Sequence, residues 1–272
     1  MIPPDYLILR LIRRNLPDRL VRLLLQRRIF IKPGLETTAP AEAAQRYLGA
    51  LEAAARSLRG CRTLLFGYGG GFGVALALLA AGARHVVLLD PHAVPRVAVN
   101  RALAARRNPY LSISGSDVIP SPQWLTVVHA PLGQYLADGG QPVDLVLSNS
   151  VLEHVHDLGS VVPELAQVTA PHGEQFHFID LRDHFFKHPF EMLCHSEKVW
   201  RRFLNPRSNL NRLRMPDYEG LFSRSFAKVT VEPLASDIAA FRSVRARIRP
   251  EFLTGDETRD AVTRIFLRAS LA

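Results

Sequence analysis

Short apolar runs alternate with helix-like stretches through the middle of the chain. Five runs, TLLFG, HVVLLD, WLTVVHA, DLVLSN and FHFID, are nearly continuous in Val, Leu, Ile or Phe rather than alternating with polar residues. Such runs are typical of strands that are covered on both faces. Between them, residues 74–81, 94–106 and 158–169 have helical patterns. This βαβ order predicts an α/β fold with a doubly wound, mostly parallel sheet.

The pattern differs on either side of this region. After a turn-rich linker, IKPGLETTAP, strong helix formers predict a helix from Ala41 to Leu58. Residues 108–123 are rich in proline and serine and are predicted to form a loop. FAKVTVEPL and TRIFLRASL predict two more strands, so that seven are expected in all, whereas 236–258 gives no clear pattern.

The N-terminal segment is strongly basic. Residues 1–34 contain eight lysines and arginines against two aspartates, and they account for most of the net charge of +9. Leu16, Leu20, Leu23 and Leu24 recur there at helical spacing. An amphipathic helix of this kind can lie on an acidic membrane surface, or it can pack on the domain with its arginines in solvent.

Length and composition indicate one large domain with appendages. The chain has 272 residues, of which 47% are hydrophobic, enough for a full core. We expect a basic helical arm over 1–40 and a single domain over 41–272. No apolar run reaches the 18 or so residues of a membrane span, and Cys61 and Cys194 are too isolated for a disulfide framework. These features predict a cytoplasmic protein whose arm contacts, at most, the surface of a membrane.

The stretch TLLFGYGGGFG places a glycine-rich turn directly after the first strand. Such a turn lets a ligand approach the main-chain N–H groups. It lacks the Gly-Lys-Ser/Thr ending of a P-loop, and Phe72 stands where a dinucleotide fingerprint starting at Gly67 needs its third glycine. The pattern that fits is G-x-G-x-G, formed by Gly67, Gly69 and Gly71. Asp90 ends the second strand, where a carboxylate can accept hydrogen bonds from both hydroxyls of a ribose.

With VDLVLSNSVLEHVHDL and ELAQVTAPHGEQFHFID in order behind them, these motifs resemble the class I S-adenosylmethionine-dependent methyltransferases, in their small-molecule branch. The resemblance covers about Gly60 to Asp180. It implies the strand order 3-2-1-4-5-7-6, S-adenosylmethionine as cofactor and a substrate cap over about 181–225. It also implies that the cofactor is bound by Gly67, Tyr68, Gly69, Gly71, Asp90, Ala130, Pro131, Leu132, Ser148 and Asn149. Asn149 could equally cap the helix that follows it.

The sequence departs from the family's pattern in two places. The family usually has an acid two residues before the first glycine, and that position is Leu65 here. The turn before the fifth strand, commonly Pro-Gly-Gly, is Pro171-His172-Gly173. Without an acid at Leu65, the methionine end of the cofactor lacks one carboxylate, so that water, backbone groups or another residue must replace it.

Methyl transfer from a sulfonium needs a base only if the acceptor is protonated, and histidine suits a hydroxyl acceptor. The candidates are His154, after the fourth strand, and His184, after the fifth, with Asp180 and Asp183 near to orient or charge His184. The alternative for His154 is a histidine that packs against a helix. The alternative for His184 is a residue of a hydrogen-bonded loop. His184 and His188 are four residues apart, with Cys194 and His195 beyond them, but this set matches no zinc pattern, and we expect no metal.

The acceptor class is narrowed by motifs that are missing. Enzymes that methylate the exocyclic amine of a nucleobase have an Asn/Asp-Pro-Pro-aromatic turn after the fourth strand, and this chain has Ser148-Asn149-Ser150-Val151. It also lacks the interleaved aromatic and basic residues of a single-strand groove, so nucleic acid is not the expected partner.

A second basic run follows the fifth strand, with no acid from Lys198 through Met215. Arginine suits phosphate or carboxylate, so we expect an anionic acceptor, although the run could also be a solvated helix face. The residues predicted to contact substrate are Arg182, Asn211, Arg212 and Arg214. The sequence thus predicts O-methylation of a small-molecule or glycan-type acceptor. The alternatives are a non-catalytic cofactor-binding partner, suggested by Leu65, and an RNA methyltransferase, suggested by the net charge.

Overall fold

In the computed structural model, which describes residues 4–15, 35–106, 109–184, 187–205 and 209–272, seven strands form one sheet. They are β1 (Arg62–Phe66), β2 (His85–Leu89), β5 (Leu125–Val128), β6 (Val143–Asn149), β7 (Thr169–Asp180), β8 (Lys228–Ser236) and β9 (Val262–Ser270). Their order is β5-β2-β1-β6-β7-β9-β8, which is the predicted 3-2-1-4-5-7-6 when only these strands are counted. β9 runs antiparallel to both of its neighbours, and the other pairs are parallel.

The sheet is covered on both faces, as the continuous apolar runs predict. Leu64 and Leu65 are neighbours in β1, yet Leu64 packs in one buried cluster and Leu65 in the other, because successive side chains of a strand point to opposite faces. Leu65 is fully buried. The position at which the family has an acid is therefore part of the hydrophobic core.

The helices of the described residues lie on both sides of this sheet. They are α1 (Pro4–Asn15), α2 (Leu35–Thr38), α3 (Pro40–Ala53), α4 (Gly73–Ala80), α5 (Val97–Ala104), α6 (Leu132–Ala137), α7 (Leu158–Val168), α8 (Glu197–Val199), α9 (Met215–Phe222), α10 (Ile238–Val244) and α11 (Glu257–Asp260). Helix α8 continues as a π-helix over Trp200–Leu204, and short 3-10 turns occupy Leu152–His154, Glu191–Cys194, Arg245–Arg247 and Pro250–Phe252.

The structure differs from the local predictions in several segments. Within 108–123, β3 (Leu111–Ser114) and β4 (Asp117–Pro120) form an antiparallel hairpin, so the loop prediction was wrong there. The helix predicted to reach Leu58 ends at Ala53, and the linker before it contains α2. Strand β7 already begins at Thr169, which pairs with Val143, so the expected turn at 171–173 lies inside an irregular strand.

Helix α1 packs on the C-terminal part of the fold. Tyr6 and Arg10 are both fully buried, and each donates a hydrogen bond to the carboxylate of Asp183. The guanidinium of Arg10 lies 4.9 Å from the centre of the Trp200 ring. This part of the arm therefore packs on the domain, although Arg10 is not in solvent as the packed alternative assumed. Leu16, Leu20, Leu23 and Leu24 lie outside the described residues.

A third buried cluster holds the C-terminal elements together. It centres on Phe190, Trp200, Leu210 and Phe241, which come from the predicted cap and from the stretch that gave no clear pattern. None of the helices in the described ranges has the length and apolar character needed to cross a membrane.

Candidate active site

The glycine turn after β1 has the conformation that glycine favours. Gly67, Gly69 and Gly70 have φ values of 82°, 67° and 85°, in the left-handed region that other residues rarely adopt. A Cβ on Gly70 would lie 2.0 Å from the carbonyl oxygen of Val94, because the loop after β2 packs directly on the turn. A Cβ on Gly71, in contrast, would have its nearest neighbour at 3.9 Å, in the side chain of Arg96.

The acid after β2 lies against this turn. The Oδ2 atom of Asp90 accepts a hydrogen bond from the N–H of Gly69 at 3.1 Å, and Oδ1 accepts one from the N–H of His92 at 2.8 Å. Each carboxylate oxygen has two lone pairs, so both can still accept a hydroxyl. The predicted ribose-binding acid and the glycine turn thus meet at the carboxyl edge of the sheet, and they fit the nucleoside part of the cofactor.

Asn100, a residue that the sequence did not single out, holds the turn in place. It is buried in α5, its amide nitrogen donates to the carbonyl of Gly70 at 3.0 Å, and its amide oxygen accepts from the N–H of Phe72 at 3.0 Å. An asparagine can make both contacts because its side chain has a donor and an acceptor. Its position in the middle of a helix gave no signal for this role.

A buried carboxylate from the predicted linker reaches the end of β6. Glu36, on α2, accepts a hydrogen bond from the Tyr47 hydroxyl at 2.8 Å and one from the Asn149 amide at 3.3 Å. Burial raises the pKa of Glu36. The amide oxygen of Asn149 accepts from Arg46 at 2.8 Å, and the hydroxyl of Thr37 donates to the carbonyl of Gly69 at 3.4 Å. Asn149 therefore joins the N-terminal segment to the sheet.

Ser148 faces the interior, which differs from its predicted place beside the methionine part. Its hydroxyl lies 2.7 Å from Nδ1 of His177, and Nε2 of that ring lies 2.8 Å from the amide oxygen of Gln175. The amide oxygen can only accept, so Nε2 carries the proton and Nδ1 accepts from Ser148. Burial lowers the pKa of His177 to about 3, which keeps the ring neutral.

The predicted adenine side shows a mixed picture. Pro131 is exposed, Ala130 is partly buried and Leu132 is buried at the start of α6. Tyr68 is also buried, with its ring centre 6.1 Å from that of His129. Burial, with a smaller contribution from the charge of Asp90, raises the pKa of Tyr68 to about 12. Its side chain therefore acts as a neutral aromatic wall.

The two candidate histidines do come together. The ring centres of His154 and His184 are 4.8 Å apart, with an edge-on orientation. Glu153 joins them, since one ligand atom from each of the three residues lies within 4.8 Å of the others. Glu153 is buried, and burial raises its pKa well above the usual value. The sequence analysis missed Glu153, although it stands directly before His154.

The neighbouring aspartates have other partners than expected. Asp180 binds Arg182 through two hydrogen bonds, of 2.9 Å and 2.6 Å, and this pairing raises the pKa of the guanidinium. Asp183 accepts from Tyr6 and Arg10 and so anchors α1. Both carboxylates, predicted to orient or charge His184, thus have arginine partners.

Three of the four predicted substrate residues serve the fold. Arg212 and Arg214 are almost fully buried and donate to main-chain carbonyls, those of Met192 and His195 for Arg212 and of Leu181, Asp260 and Val262 for Arg214. Burial lowers the pKa of Arg214 to about 10. Asn211 donates to the carbonyls of Leu152 and Val155. These contacts replace the predicted binding of an anionic acceptor by Arg212 and Arg214.

A cleft of about 390 Å³ lies beside the histidine pair. Arg14, Arg201, His156 and Asn209 contribute to its lining. Asn209 connects the two places, because its carbonyl oxygen is 2.8 Å from Nδ1 of His154 and its amide donates to the carbonyl of His154. Arg207 also belongs to the second basic run, but it lies outside the described residues.

The comparisons with known proteins agree with this geometry. A family model described as a methyltransferase domain matches residues 64–176, the segment with the glycine turn, Asp90 and Asn149. No curated protein sequence matches the chain.

Solved structures share the fold at low sequence identity. The 1,6-didemethyltoxoflavin-N1-methyltransferase of Burkholderia thailandensis, which contains 1,6-didemethyltoxoflavin and S-adenosylhomocysteine, has a TM-score of 0.50 and 16% identity over 99% of this chain and 90% of its own. A cyclopropane-fatty-acyl-phospholipid synthase-like protein of Lactobacillus casei has a TM-score of 0.50 and 15% identity, and the match covers 88% of this chain and 94% of that protein. An S-adenosylmethionine-dependent methyltransferase of Mesorhizobium loti has a TM-score of 0.45 and 17% identity, and the match covers 81% of this chain and 95% of that protein.

Proposed function

Because the chain is a class I S-adenosylmethionine-dependent methyltransferase, we propose that it transfers the methyl group to an oxygen of a small-molecule or glycan-type acceptor. The observation that carries this proposal is the meeting of His154 and His184 at the carboxyl edge of the sheet, which also holds the glycine turn. A hydroxyl becomes a good nucleophile when its proton is removed, and imidazole is the side chain best suited to that at neutral pH.

The cofactor, when bound, supplies a methyl group on a positively charged sulfur. We propose that the main chain of Gly67 to Gly71 lies against it and that Asp90 accepts hydrogen bonds from the ribose hydroxyls. Tyr68 and Leu132 line the adenine side in this arrangement. The supporting observation is the contact between Asp90 and the N–H of Gly69, which places the acid at the turn.

We propose that Glu36 takes the role of the acid that the family has at the position of Leu65. It is a buried carboxyl group at the end of β6, held by Tyr47 and by Asn149. A carboxylate there would stabilise the ammonium group of the methionine part through a charge-assisted hydrogen bond. Asn149, rather than capping a helix, positions this group.

An anionic group on the acceptor is proposed to bind in the cleft beside the histidines. Arg14 and Arg201 line this cleft together with Glu197, which pairs with Arg201 at 3.4 Å and also with the buried Arg212. A phosphate or carboxylate would take the place of Glu197 beside Arg201, while Glu197 stays bound to Arg212. Asn209 lines this cleft and is hydrogen-bonded to His154, so it connects the anion site to the histidine pair.

Helix α1 is proposed to contact an acidic membrane surface. Ile8, Leu9, Leu11 and Ile12 are 58%, 44%, 44% and 52% exposed, while Tyr6 and Arg10 on the other side are buried. Exposed aliphatic side chains next to basic residues suit the boundary between headgroups and acyl chains. This placement would bring the active site close to lipid-linked acceptors.

The proposal is tested by incubating the enzyme and a cell extract with isotopically labelled methyl donor and identifying products by mass spectrometry. The expected product carries the label on oxygen. With that product in hand, the turnover of His154→Ala and His184→Ala should fall by about 10²- to 10⁴-fold, the usual contribution of a positioned acid–base group. Binding of S-adenosylmethionine should not change.

His172→Ala is the matched control, since His172 is exposed at the other end of β7 and should have no effect. A product labelled on nitrogen or carbon would contradict the proposed acceptor. Unaltered turnover of both histidine variants at every pH from 6 to 9 would remove the pair from the mechanism.

A further inference from the structure

We propose that Glu153, His154 and His184 form a binding site for a divalent transition-metal ion of the zinc type. One ligand atom from each side chain lies within 4.8 Å of the other two. Two imidazole nitrogens and one carboxylate oxygen are a common set for catalytic zinc, which leaves at least one coordination position for a further oxygen. The same set also binds ferrous iron, so zinc stands here for ions of that group.

Glu153 gives an independent reason to place a cation there. The residue is 3% exposed, and its Oε2 atom has no hydrogen-bond partner among the described residues. Its Oε1 atom accepts a long bond of 3.4 Å from the N–H of Asp180. A buried polar atom without a partner destabilises the fold, and proteins rarely keep one without a use. A metal ion bound to Oε2 would satisfy it.

The hydrogen bond of His154 is of the kind that metal-binding histidines commonly make. Its Nδ1 atom lies 2.8 Å from the carbonyl oxygen of Asn209, and a carbonyl only accepts, so Nδ1 carries the proton. In the neutral ring, Nε2 then has the lone pair. Metal-binding histidines usually donate their other N–H to a carbonyl or carboxylate in this way, which fixes both the tautomer and the direction of the ring.

The distances allow closure on an ion without a change of fold. Zinc bonds of 2.0–2.2 Å in a tetrahedron separate the ligand atoms by about 3.3 Å, so each side chain would move by about 1 Å. Glu153 and His154 belong to the 3-10 turn after β6, which the segment at 209–211 fixes, because Asn211 donates its N–H to the carbonyl of Glu153 at 2.9 Å.

Two further acids lie near Glu153. Asp180 and Glu36 both act on Glu153 as nearby acids, and only Asp180 has a guanidinium, that of Arg182, bound to it. Asn209 lines the cleft and donates a hydrogen bond to the carbonyl of His154, so the cluster adjoins the cleft. An acceptor oxygen entering from the cleft could therefore occupy the open position on the metal.

The role in catalysis, though not the binding itself, rests on the proposed O-methylation. A hydroxyl bound to the metal loses its proton to solvent more easily, because the ion stabilises the resulting alkoxide. The alkoxide oxygen then forms a bond to the methyl carbon while the carbon–sulfur bond breaks, and its electron pair stays on sulfur, which leaves as a neutral thioether. The imidazoles act as ligands in this scheme.

The test uses the full-length protein, stripped of metal with a chelator and titrated with Zn²⁺ by calorimetry, with metal content measured by mass spectrometry. We expect one Zn²⁺ per chain in the wild type and at least 100-fold weaker binding in Glu153→Gln and in His184→Ala. His172→Ala, the exposed control, should bind as the wild type does. X-ray absorption of the zinc-loaded wild type should show two imidazole nitrogens and a carboxylate oxygen.

The absorption measurement needs no variant, so it holds even if Glu153→Gln does not fold, which loss of S-adenosylmethionine binding would reveal. The inference is overturned if the wild type binds no Zn²⁺, if the variants bind it as tightly, or if sulfur ligands appear. Methylation of oxygen that survives removal of all metal would overturn the catalytic role and leave the proposed function intact. If the protein binds zinc in the expected way but methylates nitrogen or carbon, the metal site stands and the proposed O-methylation is overturned.

Discussion

At the scale of single residues, the positions of the candidate groups in the fold were easier to predict than their hydrogen-bond partners. Asp90 was predicted from its position after the second strand, and it lies at the glycine turn. Asn100 and Glu36 were missed because their roles depend on tertiary contacts, with Gly70 and with Asn149, that no local pattern encodes. Arg212 was assigned to substrate because a buried arginine bonded to carbonyls looks the same in sequence as one in solvent.

His177 makes the stability of the protein depend on pH. Burial lowers the pKa of this ring to about 3, whereas in the unfolded chain it titrates near its usual value of 6.5. Between these values the unfolded chain binds a proton that the folded protein does not, so stability is complete above pH 6.5 and falls as the pH is lowered toward 3. The slope for one proton is about 1.4 kcal/mol per pH unit.

We therefore expect the free energy of unfolding of the wild type to fall by about 1.4 kcal/mol per pH unit more than that of His177→Gln between pH 6 and 4. Denaturant unfolding at several pH values measures this difference. Other buried acids, such as Glu36 and Glu153, are present in both proteins. Their contributions to the pH dependence cancel in the difference. Parallel pH profiles of the two proteins would mean that His177 is protonated in the fold.

At the scale of elements, strands were predicted well and connections poorly. Each of the seven strands of the main sheet overlaps its predicted run. The inner strands are continuously apolar because both of their faces are buried, whereas the edge strand β8 is mostly exposed and its run alternates apolar with polar residues. The hairpin of β3 and β4 was read as a loop because Pro120 and several serines stand in it, and its strands are mostly exposed. A short exposed hairpin leaves little hydrophobic pattern to detect.

Helix α1 is the element whose faces are most informative. A surface helix normally buries its aliphatic face, but α1 buries Tyr6 and Arg10 against Asp183 and exposes Ile8 and Ile12. We expect the wild type to float with vesicles containing phosphatidylserine and Ile8→Asp/Ile12→Asp to bind them at least about tenfold more weakly, since each isoleucine is worth about 1.5–3 kcal/mol when buried.

The double variant Ile113→Asp/Ile119→Asp is the matched control for this experiment. These two isoleucines are 46% and 48% exposed on the hairpin, far from α1 in the chain. Their replacement removes a similar amount of exposed apolar surface and adds the same charge. Equal loss of vesicle binding in both double variants would show that net charge, and no specific face of α1, determines the contact.

At the scale of the whole molecule, the sheet order and the meeting of the candidate site residues followed from the sequence, because parallel strands bring their carboxyl ends to one edge. The glycine turn, Asp90, Asn149 and His154 all lie at or near that edge. The enclosure of the site could not be predicted, since it depends on how α1, α2 and the third buried cluster pack on the sheet. Such packing is decided by contacts distant in sequence.

The central claim is that the glycine turn and Asp90 together bind S-adenosylmethionine. Calorimetric titration of the cofactor into wild type, Asp90→Ala and the exposed control Asp138→Ala tests it directly. Two hydrogen bonds to a charged acceptor contribute about 3 kcal/mol or more, so Asp90→Ala should bind at least about 100-fold more weakly than the wild type. Asp138→Ala should bind as the wild type does. Asp90→Ala binding with the affinity of the wild type would contradict the claim.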